Sequence, residues 1–191
     1  PEMVVKEVCV QEKSMNDSKK KYPVFSLERF YPERWENNTY RIDFEELYRK
    51  GFRGVIFDID NTLVPHGAPA TREAIRLFRK LRRIGFKTCL LSNNRKARVA
   101  PFAEAVGSDY IENARKPSVK NYRKACEIMG ITEDQAVFVG DQLFTDVYGA
   151  KKAGIYQILV KPIHPKEEIQ IVLKRKLEKI VLDSYTRKKK K

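Results

Sequence analysis

Alternating apolar and polar blocks fill the chain from position 51 onward and predict that strands and helices alternate along it. Short apolar runs, such as the one that ends at Phe57, are typical of strands buried on both faces of a sheet. Between them, apolar residues recur every three or four positions, as in amphipathic helices. The predicted strands are 54–58, 86–91, 109–112, 136–139 and 156–160, and the predicted helices are 43–48, 71–84, 96–106, 118–129, 145–153 and 166–182.

This order predicts an α/β fold, a doubly wound and mostly parallel Rossmann-like sandwich of three layers. The chain has 191 residues, 42% of them hydrophobic, which fits one compact domain with its own core. We expect that domain at 23–182, between a disordered polar N-terminus at 1–22 and a basic tail at 183–191. The stretch 22–50 is dense in aromatic residues. We interpret it as a lid packed on the sheet, with a surface for lipid headgroups as the alternative.

The net charge of +14 predicts an anionic partner. Part of the excess lies in the like-charge run from Arg187 to Lys191, a pattern typical of disorder. Another part lies on the predicted helix at 71–84, in the row Arg72, Arg76, Arg79, Lys80 and Arg83. A solvated helix face explains this row, and a surface for polyanions or anionic lipids is the alternative. Nucleic acid is not the favoured partner, because the sequence has no RNA-recognition motif.

The remaining composition favours a protein of the aqueous, reducing compartment. No apolar run reaches the ~18 residues that a membrane helix needs, and 1–21 lacks the apolar core of a signal peptide. The three cysteines, Cys9, Cys89 and Cys126, are odd in number and widely spaced. Buried, reduced thiols are therefore expected at Cys89 and Cys126 rather than a disulfide or a zinc site. We expect a cytoplasmic protein.

Two acidic residues, Asp58 and Asp60, follow the first predicted strand directly. The carboxyl ends of parallel strands are where ligands bind in open α/β sheets. A carboxylate pair there suits Mg²⁺, which prefers one or two carboxylates together with phosphate oxygens. Aspartate can also attack phosphorus and form an aspartyl-phosphate. An Asp-rich turn is the alternative explanation of the pair taken alone.

Three further polar groups follow predicted strands in the same way. They are Ser92 with Asn93, then Lys116, and then Asp141 with Asp146. In a parallel sheet these positions converge on one edge, where they gather a hydroxyl, an ammonium and four carboxylates. This inventory suits phosphoryl transfer, which depends on positioning and on stabilising negative charge. Taken singly, Ser92 could be a strand-end cap, Lys116 a surface lysine and Asp146 a first-turn helix acid.

Together, the four motifs resemble those of the haloacid dehalogenase (HAD) superfamily. The segments that carry the resemblance are Asp58-Ile59-Asp60-Asn61-Thr62, Ser92-Asn93-Asn94, Ala114-Arg115-Lys116-Pro117 and Gly140-Asp141 to Asp146. The finer pattern is similar to the IIIA-type YqeG family, which includes phosphatidylglycerophosphate phosphatases. The resemblance implies a HAD fold and a Mg²⁺-dependent phosphatase.

The same resemblance implies a role for each site residue. Asp58 would be the nucleophile, and Asp60 would protonate the leaving oxygen and then activate water. Mg²⁺ would be held by the Asp58 carboxylate, the main-chain carbonyl of Asp60 and Asp141, with support from Asp146. The remaining implied roles are phosphate binding by Ser92, Lys116 and the Asn93 amide, and bracing of the loop by Thr62.

The short connections between motifs leave no room for a cap domain, so we expect an open site. The leading hypothesis is a phosphomonoesterase that converts phosphatidylglycerophosphate to phosphatidylglycerol, in peripheral contact with an anionic membrane. A phosphatase for protein, nucleotide or sugar phosphates is the alternative within the enzyme class. An RNA- or ribosome-associated binding protein is the alternative of another class. The sequence does not indicate an oligomeric state.

Overall fold

The computed structural model describes residues 26–164 and 169–189. The predicted N-terminal disorder at 1–22 and the last two residues of the basic tail lie outside the described residues. The strands are β1 (Arg34–Glu36), β2 (Gly54–Phe57), β3 (Lys87–Leu91), β4 (Asp109–Ile111), β5 (Ala136–Gly140) and β6 (Tyr156–Val160). The helices are α1 (Phe44–Arg49), α2 (Arg72–Ile84), α3 (Lys96–Val106), α4 (Val119–Met129), α5 (Tyr148–Ala153) and α6 (Ile169–Lys189).

Local sequence signals set the ends of the helices. At the start of α2 the Thr71 hydroxyl accepts a hydrogen bond from the Ala74 amide at 3.1 Å, which satisfies one of the free first-turn N–H groups. The same helix ends at Gly85, whose φ of 109° lies in the left-handed region that favours glycine. These signals are readable in the sequence, and α2 begins one residue after the predicted start and ends at the predicted residue.

The six strands form one parallel sheet in the order β1-β6-β5-β2-β3-β4. From β2 the chain proceeds outward through β3 to β4, and then crosses to β5 on the other side of β2. The strand order therefore reverses between β2 and β5. Such a reversal point, at the carboxyl ends of the strands, is where doubly wound sheets bind their ligands.

Helices cover both faces of the sheet, and alternate strand residues point to opposite faces. Val55 and Phe57 pack with α1, α2 and α3, whereas Ile56 packs with α4 and α5. Leu159 of β6 packs beneath α6 with Val181. The predicted three-layer α/β fold is confirmed. Among the described residues, the connections β2–β3 and β3–β4 contain one helix each and no cap domain.

The aromatic segment contributes more than the predicted lid. Arg34–Glu36 forms an edge strand, β1, which pairs in parallel with the last three residues of β6. Phe44 and Leu47 of α1 are buried in the main core. This segment therefore completes the sheet at one edge and covers part of one face, so the interpretation as a lid alone is incomplete.

Two helices differ from the sequence-based expectation. The predicted helix at 145–153 is instead a π-helical turn, Leu143–Val147, that leads into α5. The last helix continues to Lys189, beyond the predicted end at residue 182. Its extension is held to the domain because the Tyr185 ring is buried and packs edge-on against Tyr31, with ring centroids 5.4 Å apart.

The five basic residues of the row on α2 are all exposed, and Lys80 lies 3.1 Å from the carboxylate of Glu45. Cys89 and Cys126 are buried free thiols, as predicted, while Cys9 lies outside the described residues. In the part of the chain that the structure describes, no helix combines the length and apolarity needed to cross a membrane.

Candidate active site

Asp58 lies at the reversal point of the sheet, directly after β2. Its backbone N–H donates to the Val139 carbonyl of β5 at 3.0 Å, which extends the β2–β5 pairing by one residue. The Asp58 side chain is only 9% exposed. A carboxylate so deeply buried requires compensation by a cation or by hydrogen bonds.

Lys116 supplies the cation. Its Nζ lies 2.6 Å from Asp58 Oδ1 and 2.7 Å from Asp146 Oδ1, and its side chain is 4% exposed. The backbone of Lys116 is also fixed, because its N–H donates to the Asn93 side-chain oxygen at 2.8 Å. The segment after β4 and the segment after β3 are thereby joined beside Asp58.

Asp146 is fully buried in the π-helical turn Leu143–Val147. Its second oxygen, Oδ2, accepts from the Gln142 amide at 3.1 Å. The carboxylate packs against the backbone of Gly140, where an added Cβ would lie 2.5 Å from Asp146 Oδ2. Glycine is therefore required at position 140 by the close approach of Asp146, and not by its own backbone conformation.

Asp141 completes a group of three buried carboxylates with Asp58 and Asp146, each offering an oxygen within 4.8 Å of the others. The Thr62 hydroxyl lies between two of them, 3.2 Å from Asp141 Oδ1 and 3.5 Å from Asp58 Oδ2. Because a hydroxyl has one proton to donate, it serves the nearer oxygen, that of Asp141. Thr62 thus links the ends of β2 and β5.

The cluster carries more negative than positive charge. Three carboxylates and one ammonium leave a net charge of −2. Burial raises the pKa of Asp58 from 3.8 to about 6, and the Asp146 charge adds to the rise although Lys116 opposes it. Burial alone would lower the pKa of Lys116, but the charges of Asp146 and Asp58 outweigh burial and raise it.

The same cluster fits a hard divalent cation. Its donors are carboxylate oxygens, which such cations prefer, and the net charge of −2 is what one divalent cation would neutralise. Asp58 and Asp141, which the Thr62 hydroxyl links, are the residues that would hold the cation, and Asp146 is the third carboxylate of the group.

The Asp60 carboxylate lies in a separate network. Its Oδ1 accepts from the Gly67 amide at 2.8 Å and from Arg98 Nη2 at 2.9 Å, and its Oδ2 accepts from Asn94 Nδ2 at 2.7 Å. The structure therefore places the two aspartates of the first motif in adjacent but different settings. Asp58 belongs to the buried cluster of three carboxylates and Lys116, whereas Asp60 is held by the loop after β3 and the first turn of α3.

Ser92 and Asn93 border both networks. The buried Ser92 hydroxyl accepts from the Asn94 amide at 3.1 Å, which shapes the turn after β3. Asn93 is exposed, and its side-chain oxygen accepts the hydrogen bond from the Lys116 backbone amide. The structure thus brings all seven predicted site residues to one edge of the sheet, and four of them form the buried cluster: Asp58, Lys116, Asp141 and Asp146.

Several contacts to the site were not predicted from the sequence. Arg98 and Asn94 bind Asp60, as described above. From the aromatic segment, the Thr39 hydroxyl donates to the Thr62 carbonyl at 2.7 Å, and the Tyr40 hydroxyl donates to the Leu63 carbonyl. No spacing pattern links these residues, because their contacts depend on how distant loops meet.

Comparisons with known proteins found similar sequences and folds. A model of the haloacid dehalogenase-like hydrolases matches residues 73–154. The chain is 35% identical over 160 residues to "Probable phosphatase YqeG" of Bacillus subtilis, covering 83% of this chain and 93% of that protein. It is 29% identical over 160 residues to "Phosphatidylglycerophosphate phosphatase 1, chloroplastic/mitochondrial" of Arabidopsis thaliana. That alignment covers 77% of this chain and 45% of the relative, so the chain spans about half of its length.

The fold also has relatives among solved structures. The crystal structure of an uncharacterized protein from Listeria monocytogenes serotype 4b superposes with a TM-score of 0.50 at 21% identity. The match covers 61% of this chain and 85% of that one. At this level of identity the likeness concerns the fold alone.

Proposed function

The chain belongs to the haloacid dehalogenase-like hydrolase family and is a phosphatase, and we propose that it releases the terminal phosphate of phosphatidylglycerophosphate with Mg²⁺ as cofactor. The observation that carries the proposal is the buried cluster of three carboxylates and Lys116 at the reversal point of the sheet. The lipid substrate is supported by the similarity to the Arabidopsis protein.

The first half-reaction is a displacement at phosphorus. An Asp58 carboxylate oxygen attacks the phosphorus of the monoester, and the bond between phosphorus and the leaving oxygen breaks. Asp60 gives a proton to that oxygen, so an alcohol departs and an aspartyl-phosphate remains. Lys116 and Ser92 hold the phosphoryl oxygens as negative charge builds on them.

The second half-reaction returns the enzyme to its starting state. Asp60, now ionised, takes a proton from water, and the water oxygen attacks the phosphorus of the aspartyl-phosphate. The bond to Asp58 breaks, inorganic phosphate leaves and the carboxylate is regenerated. When bound between Asp58 and Asp141, Mg²⁺ would supply Lewis-acid stabilisation of the phosphoryl oxygens.

The acid–base role requires Asp60 to reach the leaving oxygen from its present network. In this network Arg98 and Asn94 both donate hydrogen bonds to the Asp60 carboxylate. The lipid would be reached by peripheral contact, with the positive charge of the protein favouring an anionic surface.

A substrate panel tests the proposal. Phosphate release is measured from short-chain phosphatidylglycerophosphate, a sugar phosphate, a nucleotide and a phosphopeptide, with Mg²⁺ or with EDTA. We expect Mg²⁺-dependent release, with the highest kcat/KM for the lipid. Efficient cleavage of the soluble esters without cleavage of the lipid would refute the lipid assignment and leave the phosphatase intact.

Two aspartate variants distinguish loss of the proposed nucleophile from the general effect of removing one negative charge. Asp58→Asn should abolish turnover, and beryllium fluoride, a mimic of the acyl phosphate, should no longer bind tightly. Asp134→Asn is the matched control, because Asp134 is exposed just before β5, at the opposite edge of the sheet. Equal trapping of beryllium fluoride by wild type and Asp58→Asn would refute the assignment of the nucleophile.

A further inference from the structure

A groove of about 310 Å³ opens beside Asp141, between the end of β6 and α6. One wall is apolar and includes Trp35, Leu143 and Leu182. Its size lies at the lower end of the range for small-molecule sites, and apolar walls with a few polar groups are typical of them. The groove borders a residue of the buried carboxylate cluster, so a ligand in it would lie next to the reacting phosphate.

The turn after β6 places Lys161 at this groove. Its backbone N–H donates to the Glu36 carbonyl of β1 at 3.2 Å. Two residues later the Ile163 amide donates to the Asn61 carbonyl, in the loop that carries the nucleophile, at 3.1 Å. Because β6 is two strands from β2, and neighbouring strands lie ~4.8 Å apart, the turn is offset from Asp58 by about 10 Å across the sheet.

Lys179 reaches the same groove from α6. Both Lys161 and Lys179 are exposed, and within residues 26–164 and 169–189 neither has a carboxylate within ion-pair distance. The acidic Glu178 of the lining is buried and accepts a hydrogen bond from the Leu143 amide at 2.7 Å. The other acid of α6 in the lining, Asp183, is exposed one turn beyond Lys179. Two lysines that have no ion-pair partner among the described residues therefore line a groove that begins at the carboxylate cluster.

We propose that this groove binds the alcohol part of the substrate and that Lys161 and Lys179 bind a second phosphate carried by that alcohol. The inference rests on the proposed function and deepens it, because it names the group by which the enzyme selects its monoester. A phosphodiester one glycerol unit away from the scissile phosphate has this chemistry. A lipid headgroup and a soluble bisphosphate share it, so the anionic phosphate, and not the acyl chain, is the recognised feature.

Three substrates isolate that feature. They are dihexanoyl phosphatidylglycerophosphate below its micelle concentration, the same compound after deacylation, and glycerol 3-phosphate, which lacks the second phosphate. For wild type we expect kcat/KM to be at least tenfold higher for the first two than for glycerol 3-phosphate. In the K161A/K179A double variant this preference should fall about tenfold, through KM and not kcat.

Two matched variants accompany the double variant. K176A removes a lysine from an exposed position of the same helix outside the groove lining, and it should keep the wild-type preference. K161R/K179R keeps both charges and should recover most of the preference. A preference that survives in K161A/K179A, or one that K176A reduces equally, would overturn the inference.

The substrates also separate the possible sources of failure. If K161A/K179A loses the preference over glycerol 3-phosphate only for the dihexanoyl lipid, the inference is overturned, because the lysines would then act on the acylated part. If it loses the preference for the deacylated compound as well, the inference is supported. If wild type cleaves neither compound yet cleaves other monoesters, the lipid function fails. If wild type cleaves both and the double variant is unaffected, only the groove assignment fails.

Discussion

Replacement of the proposed nucleophile, Asp58→Asn, should stabilise the metal-free protein at neutral pH, although we expect it to abolish catalysis. At pH 7.5 the Asp58 carboxylate is ionised, although burial and the Asp146 charge both disfavour the ionised form. The attraction of Lys116 offsets only part of this cost. Asparagine keeps the shape and a hydrogen-bonding group without the charge. In EDTA, which removes divalent cations, the free energy of unfolding should therefore be higher for Asp58→Asn than for wild type.

The magnitude follows from the pKa of Asp58, which is raised from 3.8 to about 6. One pH unit corresponds to about 1.4 kcal/mol, so the ionised carboxylate destabilises the fold by about 3 kcal/mol at pH values well above 6. Because the folded-state pKa is the higher one, the contribution of Asp58 to stability is fully present below pH 3.8 and is lost as the pH rises through 6. The advantage of Asp58→Asn should be near zero at pH 4 and full at pH 7.5.

The assay is thermal or urea denaturation of both proteins in EDTA from pH 4 to 8. A difference of about 3 kcal/mol corresponds to a rise in Tm of about 6–12 °C for a domain of this size. Asp134→Asn serves again as the control and should track wild type. Saturating Mg²⁺ should narrow the difference in stability between the two proteins. Wild type keeps the Asp58 carboxylate, should bind Mg²⁺ more tightly and is therefore stabilised more by it. A difference that is constant across this pH range, or a less stable Asp58→Asn at pH 7.5, would refute the reasoning.

Three other perturbations test the packing of the site and the core. Lys116→Met leaves buried carboxylates without their ammonium, so stability in EDTA should fall by about 3–5 kcal/mol; an unchanged urea midpoint would contradict the ion pairing. Gly140→Ala places a Cβ 2.5 Å from an Asp146 oxygen and should displace that carboxylate, so the Kd for Mg²⁺ by calorimetry should rise at least tenfold, and wild-type affinity would exclude a role for this contact. Burial raises the pKa values of Cys89 and Cys126 to about 12, so peptide mapping should find both unlabelled by iodoacetamide at pH 8 until the protein is unfolded, and rapid native labelling would count against their burial.

The central strands and helices could be predicted because their signals are local. The runs that end at Phe57 and Val139 are fully buried, so every residue in them is apolar or small and the pattern is continuous. Glycines at 85, 107 and 130 end three helices in the left-handed conformation. Boundaries in this part of the chain differ from the predictions by no more than one residue, because core burial and capping specify the same positions.

β1 could not be predicted, because its sequence has no strand pattern. Arg34, Trp35 and Glu36 are all half-buried, and two of the three are charged. Their extended conformation depends on pairing with β6, which is more than a hundred residues away in the chain. Tertiary contact, and not local preference, decides the structure of such an edge strand.

In the candidate site, too, some positions could be predicted from the sequence and others could not. The convergence of Asp58, Lys116 and Asp141 followed from the parallel sheet, because each comes after a strand. The separate setting of Asp60 did not follow, because β2 ends before it and the alternation of a strand no longer determines where its side chain points. Its partners, Asn94 and Arg98, depend on the path of the loop after β3. The roles of these residues in catalysis stay predictions that the variants above test.

The hydrogen bonds from the aromatic segment to the nucleophile loop bear on where a working fragment can begin. Thr39 and Tyr40 each donate to a carbonyl of that loop, at Thr62 and Leu63. All four motifs lie after position 57, so a truncation designed from the motifs alone would keep every reacting group. Such a truncation would remove the two side chains that hold the loop and expose the core formerly covered by Phe44. A fragment that keeps these contacts must therefore start before Thr39, about twenty residues ahead of Asp58.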